Sequence, residues 1–462
     1  MLPLLGPSDD MHAVGTVADE LAKPWNYRYP YKFAAIGSRA NNLAETSETA
    51  SRFARSEADA YHSLKYFWSY ASKETPPDWA LHGTRDSATL DTFSVAAIQT
   101  RDPEFAQQSH ELAVLIPTTG KRLKFNYWIQ QGPAPLAYIT PGLGTHKDSQ
   151  VNLSLAELLY QDGFSVVTTS GSFHPDFMEH AATASLPGYP PVDSQDLLVS
   201  LTEIDRALAK EYPERLGKRA LVGCSMGGFQ ALYLAAREKR ADPAMVKFDR
   251  YVAIDTPVNL YHGIKNIDGF YDAPLAWPAE KRQALMDNAF HKAAKLAQIP
   301  RAFARDGLPF SATESKFLVA LSFRLTLQNT IFSSQSRANM GVLKTPISKW
   351  RREQVYQEIF GFSFRNYFDR LVLPYYRARG VTAQDFVREV SLTNTTTALR
   401  TQQKVRVMVN QNDFLLGPGD LSWLQSTFGQ SRLTVFPSGG HLGNLGSPPV
   451  QNAVLSSLKG LK

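Results

Sequence analysis

The pentapeptide Gly223-Cys224-Ser225-Met226-Gly227 constrains this chain more than any other stretch, because of what flanks it. Residues 219–222 form a short, mostly apolar run suited to a strand, and residues 228–237 are rich in helix formers. A serine at a sharp strand-to-helix turn is held in a strained backbone conformation with its hydroxyl above the sheet. Small residues are needed on both sides, because strand and helix backbones pass very close there. The N-terminus of the following helix favours negative charge developing beside the serine. Ser225 is therefore the candidate nucleophile. Cys224 is the only cysteine of the chain. The same turn makes it a small buried neighbour of Ser225 rather than a nucleophile. A single cysteine allows neither an intramolecular disulfide nor a cysteine-based metal site.

Around this turn the sequence alternates strands and helices. Strands are expected over 92–100, 112–117, 122–129, 135–140, 164–169, 219–222, 251–254, 404–409 and 433–436. Helices are expected over 149–160, 192–212, 421–427 and 450–458. Such alternation predicts a mostly parallel sheet covered on both faces. Between Ile254 and Lys404 lie 149 residues, far more than a strand–helix–strand crossover requires. That insert carries helical patterns over 278–297, 314–327, 349–360 and 383–390, and it is dense in aromatic residues. It is expected to form a helical lid with its own core, above the strand ends where α/β proteins bind ligands. Residues 1–90, with a helix expected over 41–72, read as an N-terminal extension packed on the main domain. The division is then extension 1–90, core 91–257, lid 258–400 and core 401–462.

A serine hydroxyl needs a base to take its proton, usually a histidine oriented by a carboxylate. Among ten histidines, His441 follows the last short strand in a glycine-rich turn, Gly439-Gly440-His441, able to swing over the sheet edge. His146 and His174 precede the serine in the chain, where a base would break the order serine, acid, histidine; either is placed to touch substrate. Asp413 ends the turn after the 404–409 strand and lies 28 residues before His441, room for one helix and one strand. Asp255, at the end of the preceding strand, is the competing acid. Two donors are needed for an oxyanion. One is the backbone N–H of Met226. The other comes from Pro141-Gly142-Leu143-Gly144, with Leu143 favoured and Gly144 next.

These residues resemble an α/β-hydrolase fold serine hydrolase, esterase- or lipase-like, with a large helical cap. The resemblance covers about residues 112–460 and departs from the usual pattern at Pro141, where a histidine commonly precedes the oxyanion glycine. It implies an α/β fold with a mostly parallel central sheet, helices on both faces, the lid insertion and the helical N-terminal extension. It also implies cleavage of a carboxylic ester through an acyl-enzyme, without cofactor or metal, and the aromatic residues of the lid suggest an apolar acyl or aryl group. Transfer of the acyl group to another acceptor, or peptidase action with Asp268, Asp272 or Glu280 holding an amino terminus, uses the same three residues. A binding protein without catalysis fits less well, since such proteins typically lack one of the three. Aspartate-nucleophile chemistry does not fit a serine at the turn.

Composition sets the remaining limits. With 43% hydrophobic and 20% charged residues, the 462-residue chain is of ordinary globular type. Its net charge of +6 comes from scattered basic residues, which argues against nucleic acid as a partner, while the resemblance implies a small-molecule ester or acyl substrate. No apolar run reaches the roughly 18 residues of a membrane span. The apolar start, Met1 to Pro7, is too short for a signal peptide and has no basic flank. Read as the stump of one, with sparing lysine use, it favours a soluble periplasmic or secreted protein over a cytoplasmic one.

Overall fold

The computed structural model describes residues 88–298, 310–347 and 352–462. All but the last three residues of the expected extension, including the helix over 41–72, lie outside these. Trp350 of the expected lid core does too.

Eight strands make one sheet: β1 (His110–Ile116), β2 (Lys121–Trp128), β3 (Ala134–Thr140), β4 (Ser165–Thr168), β5 (Leu216–Cys224), β6 (Arg250–Ile254), β7 (Val405–Asn410) and β8 (Leu433–Phe436). Their order is β1-β2-β4-β3-β5-β6-β7-β8. β2 runs antiparallel to both β1 and β4, and every other neighbouring pair is parallel. Every residue of β3 and β4 is buried, as expected for strands covered on two faces.

Helices α1 (Ala88–Phe93), α2 (Gln150–Gln161), α3 (Pro190–Glu211) and α4 (Met226–Arg237) precede β6. Helices α5 (Leu260–Tyr271), α6 (Ala279–Gln298), α7 (Ala312–Arg337) and α8 (Arg352–Phe360), with shorter ones, lie between β6 and β7. Helices α9 (Asp420–Arg432) and α10 (Pro448–Ser457) close the chain. Leu153, Ala156 and Leu159 of α2 share one core with Val450 and Val454 of α10. Leu201 and Ile204 of α3, Phe229 and Leu232 of α4, and Leu424 and Phe428 of α9 share another. Helices thus cover both faces, as the alternation predicts.

The helices between β6 and β7 are pinned to the core by polar side chains as well as by aromatic packing. Thr330 Oγ1 on α7 donates to the Phe173 carbonyl at 2.9 Å, and Tyr367 Oη donates to the Pro187 carbonyl at 2.7 Å. α7 opens with a capping box, in which Ser311 and Glu314 each accept the other's backbone N–H. At its middle, Arg324 pairs with Asp268 of α5 at 3.1 Å, and Asp268 also accepts the N–H groups of Phe364 and Arg365. Phe317, Phe332, Tyr356, Phe360 and Tyr367 are buried, and Phe332, Tyr356 and Tyr367 share one hydrophobic core with Leu201 of α3 and Phe229 of α4.

One expected strand is absent. Residues 92–100 form the end of α1 and a 3₁₀ turn (Ser94–Ala97), and the chain enters the sheet only at His110. Tertiary contact overrides the β-propensity of that segment. Asp91 and Thr92 point their polar atoms at the loop that carries His441, which a pleated strand in the sheet could not do.

The turn between β5 and α4 has no room for side chains. A Cβ on Gly227 would stand 2.1 Å from the Thr140 carbonyl oxygen, and one on Gly223 would stand 2.2 Å from that of Gly227. We predict that Gly227→Ala forces β3 and α4 apart and lowers the free energy of unfolding by about 3 kcal/mol. Urea denaturation tests this; a change below about 1 kcal/mol would mean that the turn is looser than described.

Candidate active site

Ser225 sits between β5 and α4 with φ 53° and ψ −119°. A non-glycine residue in that region is strained and persists only where its surroundings hold it. Ser225 N–H donates to the Ile254 carbonyl at 2.8 Å, and its own carbonyl accepts from Phe229 N–H at 3.0 Å. Sheet on one side and helix on the other thus fix the turn. Cys224 is fully buried beneath, and burial pushes its thiol pKa up, so it stays protonated.

His441 lies over this serine. Its Nε2 is 2.8 Å from Ser225 Oγ, and its Nδ1 is 2.8 Å from Asp413 Oδ2. A carboxylate accepts only, so Nδ1 carries the proton and Nε2 offers its lone pair to the serine hydroxyl. The other oxygen of Asp413 accepts Leu415 N–H at 2.8 Å, which fixes the carboxylate plane. Burial alone would lower the His441 pKa; the charge and hydrogen bond of Asp413 outweigh it, with Asp255 adding, and the net shift is upward. Phe414 packs edge-on to the imidazole at 5.7 Å between ring centroids.

Asp255 does not bond His441. It accepts Asn410 N–H at 2.8 Å, Asn410 Nδ2 at 2.9 Å and Leu442 N–H at 2.9 Å, and so ties β6 to β7 and to the histidine loop. Burial pushes its pKa up to about 7, and the Asp413 charge adds; His441 and the N–H groups of Asn410 and Leu442 oppose the rise. Of the two candidate acids, the structure brings Asp413 to the histidine and gives Asp255 to the loop.

The other side of that loop is held by α1, whose last two residues, Thr92 and Phe93, were expected to begin a strand. Thr92 Oγ1 donates to the Ala88 carbonyl at 2.6 Å and accepts His441 N–H at 2.8 Å. Asp91 Oδ2 accepts Asn412 Nδ2 at 2.7 Å and Gly439 N–H at 3.3 Å, while Asn412 Oδ1 accepts Gly440 N–H at 2.9 Å. The glycines of the loop now have a physical reason. Gly440 has φ 58°, and a Cβ on it would stand 2.3 Å from the Ala88 carbonyl oxygen. The asparagines at the end of β7 were the available sequence signal, being polar residues directly after a buried strand.

Pro141-Gly142-Leu143-Gly144 passes beside the serine. A Cβ on Gly142 would be 3.2 Å from Ser225 Cβ. Met226 is the first residue of α4, and the first N–H groups of a helix have no acceptor within it. Leu143 and Met226 both line a cavity that opens on Ser225. Its other walls are Phe173 and Pro257, Leu260, Gly263, Ile264 and Ile267 from the α5 region, Phe323 from α7, and Phe364, Phe368 and Leu415. Apart from Ser225 these residues have apolar side chains or none.

His146 and His174 come together with each other, ring centroids 4.8 Å apart, and neither lines this cavity. With Asp176 they bring three ligand atoms within 4.8 Å of one another. Their hydrogen bonds suit a metal poorly. His174 Nδ1 accepts Asp176 N–H at 3.1 Å, so its proton lies on Nε2 and neither ring nitrogen has a lone pair to give. Asp176 in turn accepts Ser170 Oγ at 2.8 Å and pairs with His180. Asp268 is bound to Arg324 and backbone N–H groups, while Asp272 and Glu280 are exposed; none of the three lines the cavity. No helix among the described residues is long and apolar enough to cross a membrane.

Strand order, the strained serine turn and the chain order Ser225, Asp413, His441 together define an α/β-hydrolase fold. No protein-family model and no curated protein matches the sequence. Solved structures do. An esterase of Pyrococcus furiosus is 12% identical over 78% of this chain and 94% of its own, with a TM-score of 0.40. A proline iminopeptidase of Mycobacterium smegmatis is 14% identical over 76% and 97%, TM-score 0.38. An enol-lactonase of Burkholderia xenovorans is 14% identical over 75% and 99%, TM-score 0.37. At such values none of their activities transfers to this chain.

The electrostatics of His441 can be checked without any substrate. Its imidazole, followed by NMR, is expected to titrate with a midpoint above the ordinary value of 6.5. Asp413→Asn removes the charge that raises it, so the midpoint moves to lower pH. An unmoved midpoint in that variant would contradict the assignment of Asp413 as the partner of His441.

Proposed function

We propose that this protein is a serine hydrolase that cleaves a carboxylic ester with an apolar acyl or aryl group. The observation that carries the proposal is the Asp413–His441–Ser225 relay, with both hydrogen bonds at 2.8 Å, opening on an apolar cavity.

Ser225 Oγ attacks the ester carbonyl as His441 Nε2 takes its proton. Asp413 holds the imidazole in the needed tautomer and stabilises the imidazolium. Charge building on the carbonyl oxygen meets the N–H of Met226 and that of Leu143, with Gly144 the next donor, and the N-terminal end of α4 adds to the attraction. His441 then gives its proton to the leaving alkoxide, and the acyl group stays on Ser225. Water, deprotonated by His441, attacks the acyl-enzyme, releases the carboxylic acid and restores the serine.

Residues 258–400 act in this reading as the lid, which supplies most of the cavity wall and keeps water from it. A low-dielectric surround strengthens the oxyanion hydrogen bonds. An apolar acyl or aryl group gains on entering such a cavity by roughly 0.8 kcal/mol for each buried methylene. A peptide with a free amino terminus gains nothing there, because Asp268, Asp272 and Glu280 are elsewhere.

The test is hydrolysis of p-nitrophenyl esters from acetyl to dodecanoyl by wild type and Ser225→Ala. The wild type is expected to turn over apolar esters, and the variant to lose at least about 10⁴-fold in kcat. Equal rates in the two proteins, or no turnover of any ester by the wild type, would contradict the proposal.

A further inference from the structure

Two rows of side chains on α5 meet different parts of the site. Leu260, Ile264 and Ile267 line the cavity. His262, Asn266 and Phe270, four residues apart on the adjacent row, lie against the loop between β7 and α9, which carries Asp413. His262 Nδ1 donates to the buried Asp420 carboxylate at 2.8 Å. Asn266 Nδ2 donates to the Phe414 carbonyl at 2.6 Å. The Phe270 ring packs on that of Phe414, with 5.1 Å between centroids.

Helix and loop are both thinned where they meet. A Cβ on Gly417 would stand 2.2 Å from His262 Nδ1, so the imidazole reaches Asp420 only across a glycine. Gly417 has no left-handed φ that would call for glycine on its own account. Its N–H donates to the same Asp420 oxygen at 2.7 Å. On the helix side, a Cβ on Gly263 would already touch Leu415 at 3.5 Å. α5 is therefore seated on this loop along its length.

The bond from Asn266 reaches furthest, because of the peptide it holds. The Phe414 carbonyl and the Leu415 N–H belong to one planar group and point in opposite directions. Leu415 N–H is the donor to Asp413 Oδ1, at 2.8 Å. The other oxygen, Oδ2, accepts from His441 Nδ1. Asn266 thus grips one end of a rigid plate whose other end fixes the carboxylate plane. A hydrogen bond to the carbonyl also polarises the peptide and strengthens its N–H as a donor.

We infer that Asn266 is a positioning residue for Asp413, acting from α5 through the 414–415 peptide. The inference rests on the proposed hydrolase function for the reaction it serves. The relay then runs from Asn266 through that peptide to Asp413, His441 and Ser225. His262 and Phe270 keep the row on the loop. Without the Asn266 bond the plate turns, the Asp413 carboxylate loses its fixed plane, and His441 is held less firmly in the tautomer that accepts the serine proton. The cavity wall is left in place, so substrate binding is spared.

The experiment compares wild type, Asn266→Ala and Asn266→Asp. The aspartate variant has the size of the native residue but, once ionised, no donor for the carbonyl. Both are expected to lose at least about tenfold in kcat on p-nitrophenyl esters, with KM changed less than about twofold. The Nδ1 proton that His441 shares with Asp413 is followed by NMR, and its exchange with water is expected to be at least about tenfold faster in Asn266→Ala. Glu389→Ala is the structural control. Glu389 accepts Tyr233 Oη and Arg237 Nη2 of α4, both at 2.6 Å, and ties the same insert to the core elsewhere. That variant is expected to keep both kcat and the slow exchange. Unchanged kcat and exchange in the Asn266 variants, or equal losses in Glu389→Ala, would overturn the inference. If wild type cleaves no ester, the hydrolase reading fails and the exchange rates decide alone. Faster exchange in Asn266→Ala than in wild type and Glu389→Ala then supports the positioning role, and equal rates overturn it.

Discussion

Backbone meeting backbone at the β5–α4 turn is the constraint on which the rest of this structure depends. α4 lies against the end of β3 closely enough that any side chain at Gly227 would collide with the Thr140 and Pro141 carbonyls. That closeness forces Ser225 to φ 53° and lifts its hydroxyl above the sheet. It also brings the Gly142 loop beside the serine and sets the start of α4 below it. Ser225, the Gly142 loop and the N-terminus of α4 are thus fixed together by one turn. Strain at Ser225 is tolerated because Ile254 and Phe229 hold its backbone on both sides.

The histidine arrives by a different route, since no regular element carries it. Its loop departs from β8 and is held by polar groups rather than by the sheet. Asp255 binds it from β6, Asn410 and Asn412 from the end of β7, and Asp91 and Thr92 from α1. Buried hydrogen bonds of this kind specify one conformation, because leaving any donor unpaired is costly. Burial and the neighbouring Asp413 charge raise the Asp255 pKa, and the N–H groups of Asn410 and Leu442 that it accepts oppose the rise. One carboxylate orients the histidine, and the other positions the chain that carries it.

Much of this was legible in the sequence, for reasons that differ from element to element. The Ser225 turn could be read because its glycines are demanded by local geometry, and local geometry leaves a pattern in neighbouring residues. Asp413 and His441 could be placed because each follows a strand at a fixed topological position. α1 could not be read, since Asp91 and Thr92 act on residues more than three hundred positions away, and the run Thr92–Phe93–Ser94–Val95 has the composition of a strand. α5 was missed for a second reason. Gly263 and Gly269 weaken its helical signature, although Asn259 caps it and Leu260, Ile264 and Ile267 keep the spacing. A helix that gives up propensity at a cavity wall is hard to see from propensity.

The central claim is that Ser225 is a nucleophile because His441 takes its proton. Covalent labelling by a fluorophosphonate, followed by intact mass and peptide mapping, tests it most directly. The account predicts one adduct per chain, on Ser225, formed at least about a hundredfold more slowly in His441→Ala. Absence of an adduct, an adduct on another residue, or equal labelling of wild type and His441→Ala would contradict it.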